Sequence, residues 1–418
     1  MQPVTLLIIG CGARGGGYAE FARHFPERAK IVAVADPNPV RRNSVGDEHQ
    51  VPAERRFTCW EDAAKAPRLA DAVLICTQDA MHEAPAIAFA SLGYAILLEK
   101  PMAPTAQACR NIVAAVKKAG VLFAVCHVLR YTAFTRKLKE ILDSGAIGDI
   151  VSIQHLEPVG YWHQAHSFVR GNWRNAEESS PMLLAKCCHD LDWLRFIMGC
   201  PCRQVHSFGT LLHFRKEQAP HGAATRCVDC SKDIEGNCPY SALKIYLRDR
   251  LDKGCGGWPV SVLADKVTPD TVRKALEVGP YGRCVYACDN DVVDNQVVNL
   301  LFDNGATASM TMTAFMQHSG RLTRIFGTRG AVETDSNVIK VQDFLTDQER
   351  LVETAVQNDG GILTGHGGGD FGLMEAFVAA VSTRDPTQIH SGIDETLESH
   401  LMVFAAEESR HAGQTIAL

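Results

Sequence analysis

Residues 4 to 15 read VTLLIIGCGARG: a six-residue β-prone run, then three glycines spaced G-x-G-x-x-G. Glycine makes up 34 of 418 residues, so the spacing alone decides little. Its surroundings decide more. A helical stretch follows, and the next strand, IVAVAD, ends at Asp36, 21 positions after Gly15. This order predicts a βαβ unit with a tight turn at Gly10, open backbone at Gly12 and close helix packing at Gly15. The helix N-terminus then faces a pyrophosphate with its free N–H groups. Gly10, Gly12, Ala13, Arg14 and Gly15 are the candidate cofactor contacts, and Asp36 the candidate acceptor for the adenine ribose hydroxyls. Its charge repels a 2′-phosphate, so NAD is expected and NADP disfavoured, although Arg41 and Arg42 lie just beyond.

The rest of the first 130 residues continues the pattern. AVLICT, AILLEK and LFAVCH are short apolar runs, separated by helical spacing at 84–92 and 106–118. Strands alternating with helices predict an α/β fold, a doubly wound parallel sheet of the Rossmann type over residues 1–130. After about residue 150 the texture changes. IVSIQHLEPV, VVNLLFD, ATASMTMTAF and RLTRIFGT alternate with period two, as the strands of an open, mostly antiparallel sheet do. Residues 131–418 are therefore expected to form an α+β domain for substrate binding and oligomerisation. A stretch rich in Cys and Pro, about 213–290, reads as an insertion, and a helix over 395–411 closes at Gly413.

The net charge of −6 gives no reason to expect nucleic acid or an anionic membrane as partner. No apolar run approaches the ~20 residues of a membrane span. The first residues lack the basic start and cleavage site of a secretion signal. Fifteen cysteines, odd in number and scattered through a long chain, read as reduced thiols, and a cytoplasmic location is expected.

Further landmarks follow the strands. Thr77 and His82 come after AVLICT, Glu99-Lys100-Pro101 closes AILLEK, and His127 to Tyr131 (HVLRY) follows the next run. The segment MLLAKCCHDLD carries His189. Together these resemble the glucose–fructose oxidoreductase and inositol dehydrogenase family, Gfo/Idh/MocA, over nearly the whole chain outside the insertion. The resemblance implies a nicotinamide-dependent enzyme acting on a sugar, sugar derivative or cyclitol, usually a homodimer or homotetramer. It places Thr77, His82, Glu99 and Lys100 near the cofactor, Lys100 beside the reacting hydroxyl, and Arg130 and Tyr131 near the substrate. A lysine at the C-terminal end of a parallel strand is also where ligands of open α/β sheets bind.

The segment around His189 reads as one helix, started by Ser179-Ser180-Pro181 and stopped by Gly199. Cys187 and Cys188 fall on or beside its apolar stripe, while Lys186, His189 and Trp193 share another face. A histidine, with an ordinary pKa near 6.5, suits a base that takes a hydroxyl proton during hydride transfer. In the resembled family an aspartate often stands one turn before this histidine. Ala185 occupies that position here, with Lys186 next to it as a further catalytic candidate.

Three other constellations carry chemistry. Residues 155–175 combine aromatics, histidines and amides, as a carbohydrate site requires, with Tyr161, His163, Trp173 and Arg174 the preferred contacts. Gly365-His366-Gly367-Gly368-Gly369-Asp370 is a glycine-dense loop that brings His366 toward a ligand. It resembles a run in NAD-dependent glycosidases of the same superfamily, which oxidise a sugar transiently, eliminate the aglycone, add water and reduce. Cys227, Cys230 and Cys238 offer three ligands toward a structural zinc, one short of the usual four. The alternatives to a sugar dehydrogenase are thus an NAD-dependent glycoside hydrolase and a non-enzymatic NAD-binding regulator. The regulator has no use for Lys100 and His189.

Overall fold

The computed structural model describes residues 2–317, 320–354 and 364–418. Six strands, β1 Val4–Ile9, β2 Ala29–Ala35, β3 Arg56–Phe57, β4 Ala72–Ile75, β5 Ala95–Leu98 and β6 Phe123–Val125, form one sheet. Its order is β3-β2-β1-β4-β5-β6, with every pairing parallel. Helices α1 Ala13–His24, α2 Pro39–Glu48, α3 Trp60–Lys65, α4 Glu83–Ser91 and α5 Ala106–Ala119 connect the strands. All residues of β4 and β5 are buried, because helices cover both faces and leave no wet side for a polar residue. The strand order reverses between β1 and β4. Crevices at such a switch point, beyond the carboxyl ends of the strands, are where ligands of this fold class sit.

After α6, Ala133–Asp143, the chain builds a nine-stranded sheet of order β14-β13-β12-β11-β7-β10-β9-β8-β15. Its strands are β7 Ile150–Pro158, β8 Cys202–Thr210, β9 Asn295–Phe302, β10 Thr307–Thr313, β11 Leu322–Gly327, β12 Gly330–Thr334, β13 Val338–Asp343, β14 Gln348–Glu353 and β15 Ile416–Ala417. The sheet is antiparallel as expected except at its centre, where β7 and β10 run parallel. Alternate residues point inward: Gln296, Val298, Leu300 and Phe302 of β9 are buried while their neighbours are less so. This inner face packs with the helices Cys188–Met198 and Ile393–Ala412, in a core that includes Leu191, Leu194, Met310, Ile325, Met402 and Val403. Each such buried side chain is worth roughly 1.5–3 kcal/mol.

Residues 213–290 lie between β8 and β9 and contain short helical turns and the helix Pro269–Val278, started by a capping box at Thr268. They bury an apolar cluster of their own, including Phe214, Tyr246, Val260 and Leu276, against Ala165 and Val169. The chain's last quarter returns to the first sheet. Leu373, Met374, Phe377 and Val378 of the helix Gly369–Thr383 enter the same core as β1 and β2. This return sets the glycine loop at 365–370 beside the first βαβ turn.

Candidate active site

The three loop glycines differ in what a side chain would meet. Gly10 has φ +88°, and an added Cβ would lie 2.5 Å from the Cys76 carbonyl oxygen. At Gly15 it would lie 1.9 Å from the Gly10 oxygen, so α1 packs too tightly there for any other residue. Gly12 has nothing within 4 Å, which leaves the backbone open at the start of α1. The first turn of α1 carries no acidic residue of its own, so nothing within that turn competes with an anion for its N–H groups. Asp36 accepts the Cys11 and Asn38 amides at 2.7 and 2.8 Å, which fixes its carboxylate at the edge of this cradle. The residues fit a dinucleotide.

Arg14 links three motifs that are far apart in sequence. Its Nε donates to Glu99 Oε1 at 2.6 Å, and its Nη2 donates to Asp370 Oδ1 at 2.7 Å and to the Tyr18 hydroxyl. Burial would raise both carboxyls, but charged partners win. Arg14 and then Lys100 lower Glu99, while His366 and Arg14 hold Asp370 well below the usual range. Glu99 is therefore an internal anchor that also accepts the Lys100 amide at 2.8 Å. His82 is likewise fully buried, its ring bridging the Thr77 and Pro101 carbonyls at 3.1 and 2.8 Å. It braces the turn at Thr77 and the Lys100-Pro101 bend instead of facing a cofactor.

The segment expected as one helix is two, Met182–Ala185 and Cys188–Met198. The break has a visible partner. Lys100 Nζ donates to the Ala185 carbonyl at 2.9 Å, so a backbone oxygen holds the lysine where the resembled family often has an aspartate. Cys187 and Cys188 are buried packing residues, as their stripe position indicated. Lys186, at the break, leaves the expected shared face and pairs with buried Glu157 at 2.8 Å. Arg321 pairs with Glu157 at 3.0 Å and with Asp190 at 2.6 Å, so this cationic wall is neutralised from behind.

His189 is buried, and among the described residues its Nδ1 has no hydrogen-bond partner. Its ring lies 5.9 Å from that of His127 and 6.0 Å from that of His366. Burial, then Lys100, His127, His366 and Arg321, hold its pKa well below 6.5, so it is a neutral base at pH 7. His366 stands in left-handed backbone, φ 48°, and its Nδ1 is 3.0 Å from Asp370 Oδ2. With the Nδ1 proton given to Asp370, the other ring nitrogen is free to accept.

A cavity of about 590 Å³ lies beside this group, lined by His163, Lys186, Trp193, Arg321, His366 and, from the insertion, Trp258. Of the sequence candidates, His163, Lys186 and His366 reach it. Arg130 does not: it is fully buried, forked onto Asp192 at 2.7 and 2.8 Å and bonded to Glu395. The Tyr131 hydroxyl lies 2.9 Å from Ser391 Oγ and accepts the His390 and Ser391 amides at 2.9 and 3.0 Å. Both brace the last helix rather than contact a substrate. Arg174 is captured by Asp289, at 2.9 Å through both oxygens' bonds, and by Glu178. Trp173 packs against Phe168 at the edge of the second core. Tyr161 accepts from Lys244 Nζ at 3.0 Å. Trp258 was not legible among the candidates; its only local signal is a tryptophan in a Gly-Gly-Trp-Pro stretch.

The candidate zinc site at Cys227, Cys230 and Cys238 is not carried by the structure. Among the described residues no group of three or more His, Cys, Asp or Glu is arranged to hold a metal. Cys227 receives a bond from the buried Arg170 guanidinium at 3.4 Å, a charge that repels a cation, and Cys230 accepts the Ala224 amide. No helix among the described residues is long and apolar enough to cross a membrane.

Glycine cradle, strand-end lysine and helix histidine at the open end of one parallel sheet define a dinucleotide-dependent oxidoreductase with a second, sheet-built domain. The chain belongs to the GFO/IDH/MocA family: the model of its NAD-binding Rossmann fold matches residues 4–127, and that of its C-terminal domain residues 135–333. It is 23% identical over 398 residues to the Bacillus subtilis protein YteT, covering 88% of this chain and 87% of YteT. An inositol 2-dehydrogenase of Ralstonia nicotianae is 33% identical over 193 residues, 46% of this chain and 53% of that enzyme. The chain thus matches only about half the length of that relative. In fold it is similar to a levoglucosan dehydrogenase solved with NADH and L-sorbose, with a TM-score of 0.72, 18% identity, and coverage of 100% and 99% of the two chains.

Proposed function

We propose that the protein is an NAD-dependent oxidoreductase acting on a hydroxyl-bearing carbon of a sugar, sugar derivative or cyclitol. The observation that carries this reading is that Lys100, held on the Ala185 carbonyl, acts electrostatically on a buried neutral His189, whose ring lies 6.0 Å from His366 at the cavity wall. NAD, when bound in the glycine cradle, supplies the hydride acceptor. The chain's residues do the rest. His189 takes the hydroxyl proton, and the Lys100 ammonium steadies charge growing on the substrate oxygen. Lys186 and Arg321, each tied to a carboxylate, present fixed hydrogen-bond donors to hydroxyls without adding net charge to the wall. That neutrality suits an uncharged polyol. The names inositol 2-dehydrogenase and levoglucosan dehydrogenase support the same substrate class.

Asp36 supports NAD over NADP, since a 2′-phosphate would meet its carboxylate. Arg42, which could have offset this, donates Nη1 to the Asp36 carbonyl at 2.6 Å. Self-association through the open sheet face fits the exposed Val151, Leu322, Phe326 and Leu351. The test of the central reading is NADH formation with free sugars and cyclitols by wild type, Lys100→Met and His189→Ala. Each variant is expected to lose at least 10²-fold in turnover with NAD affinity nearly unchanged. Full turnover in either variant removes that residue from the mechanism.

One observation favours a second reading, glycoside cleavage with no net NADH. His366, anchored by Asp370 and 6.0 Å from His189, faces the same cavity and is placed to assist a leaving group.

A further inference from the structure

The insertion spends an aromatic side chain on the cavity that its own packing does not use. Val260 and its neighbours bury themselves against Ala165 and Val169, yet Trp258, two residues earlier, is 49% exposed. Its ring is 5.3 Å from that of Trp162 and 5.0 Å, edge-on, from that of His163. Trp162 in turn stacks on His163, 5.5 Å away and tilted 24°, and the Arg250 guanidinium lies 4.0 Å from the Trp162 ring. The indole of Trp162 is therefore clamped in place, and Trp258 extends the same wall outward. The far end of the patch lies close to the chemistry: His163 feels the charges of Lys186 and Lys100.

One cavity thus joins the His366 end to an aromatic wall at its rim. Pockets of about 300–1,000 Å³ hold drug-sized ligands. A single pyranose, with about a dozen non-hydrogen atoms, is well below that size, and 590 Å³ leaves room for more. Apolar rings with polar edges are suited to the C–H face of a sugar, whose hydroxyls point sideways toward donors. We propose that Trp258, backed by the clamped Trp162, forms a subsite for a second pyranose ring, so that the substrate class is a disaccharide or longer glycoside whose terminal sugar reaches His189. This rests on the sugar-oxidoreductase reading above and narrows it.

The experiment is calorimetric titration of the NAD-loaded protein, with NADH formation followed in parallel. The probes are a panel of α- and β-linked disaccharides and their constituent monosaccharides, against wild type, Trp258→Ala and Trp258→Tyr. At least one disaccharide is expected to bind about tenfold or more tightly than either of its monosaccharides. That ratio should collapse toward one in Trp258→Ala and return in Trp258→Tyr, the size of effect one lost stacking platform gives. A thermal melt of Trp258→Ala matching wild type shows that the loss is local. A ratio near one in wild type, or one unchanged by Trp258→Ala, overturns the subsite while monosaccharide turnover leaves the oxidoreductase reading standing. Failure of every sugar in the panel to bind or react sinks both.

Discussion

Asp370→Asn probes the link between the glycine loop and the cofactor turn. The Asp370 side chain is 8% exposed and accepts Arg14 Nη2 at 2.7 Å, Arg14 Nη1 at 3.3 Å and His366 Nδ1 at 3.0 Å. Stranding a buried charge commonly costs about 3–5 kcal/mol. Two features reduce that here. Arg14 keeps Glu99 as partner, and its side chain is 36% exposed, so solvent screens the loss. Asparagine also retains one acceptor. The expected destabilisation is about 1–2 kcal/mol at pH 7, read from urea unfolding monitored by tryptophan fluorescence. The pH dependence has a definite sign. The folded Asp370 carboxyl titrates below its ordinary 3.8, so its contribution is complete above about pH 4 and is lost as pH falls toward the folded value. The gap between wild type and variant should therefore shrink below about pH 4. A variant as stable as wild type at pH 7, or a gap constant from pH 7 to pH 3, refutes the network.

Asp36→Ala should weaken NAD binding about 10–100-fold, the loss of one charge-assisted bond, and narrow the margin over NADP, as titrations of both cofactors would show. Unchanged cofactor preference would place the ribose elsewhere. Because burial, Lys100, His127, His366 and Arg321 all keep His189 neutral, the acid limb of kcat/KM for polyol oxidation should lie below pH 6.5. A limb at or above 6.5 would assign the base to another group. His366→Ala should mainly raise KM in a dehydrogenase, but cut aglycone release about 10²–10⁴-fold in a glycosidase, with assays of free sugars and nitrophenyl glycosides separating the two.

What the residues announced in advance was local. The strand–glycine–helix unit, the acid at Asp36 and the period-two strands depend on neighbours a few positions apart, and the structure follows them. Direction within the second sheet was not legible, because alternation is the same in parallel and antiparallel strands, and β10 lies parallel to β7 across about 155 residues. Arg130 and Arg174 look like ligand-binding arginines until Asp192, Glu395 and Asp289 arrive from distant segments and occupy them. The helix break at Lys186 depends on a lysine 85 residues away taking the Ala185 carbonyl. Cysteine spacing announced three ligands, but the buried Arg170 beside Cys227 could not be read from it. Trp258 sits in irregular chain without periodicity, so nothing local assigned it to the cavity.

The most direct test of hydride transfer is to follow the hydrogen itself. A polyol that the protein oxidises, deuterated at the reacting carbon, is incubated with NAD and wild type, and the dinucleotide is examined by mass spectrometry. The account predicts net NADH carrying one deuterium, slowed formation relative to the protonated polyol, and neither outcome with Lys100→Met or His189→Ala. NADH without the label, or glycoside cleavage with no net NADH from any free polyol, would contradict it.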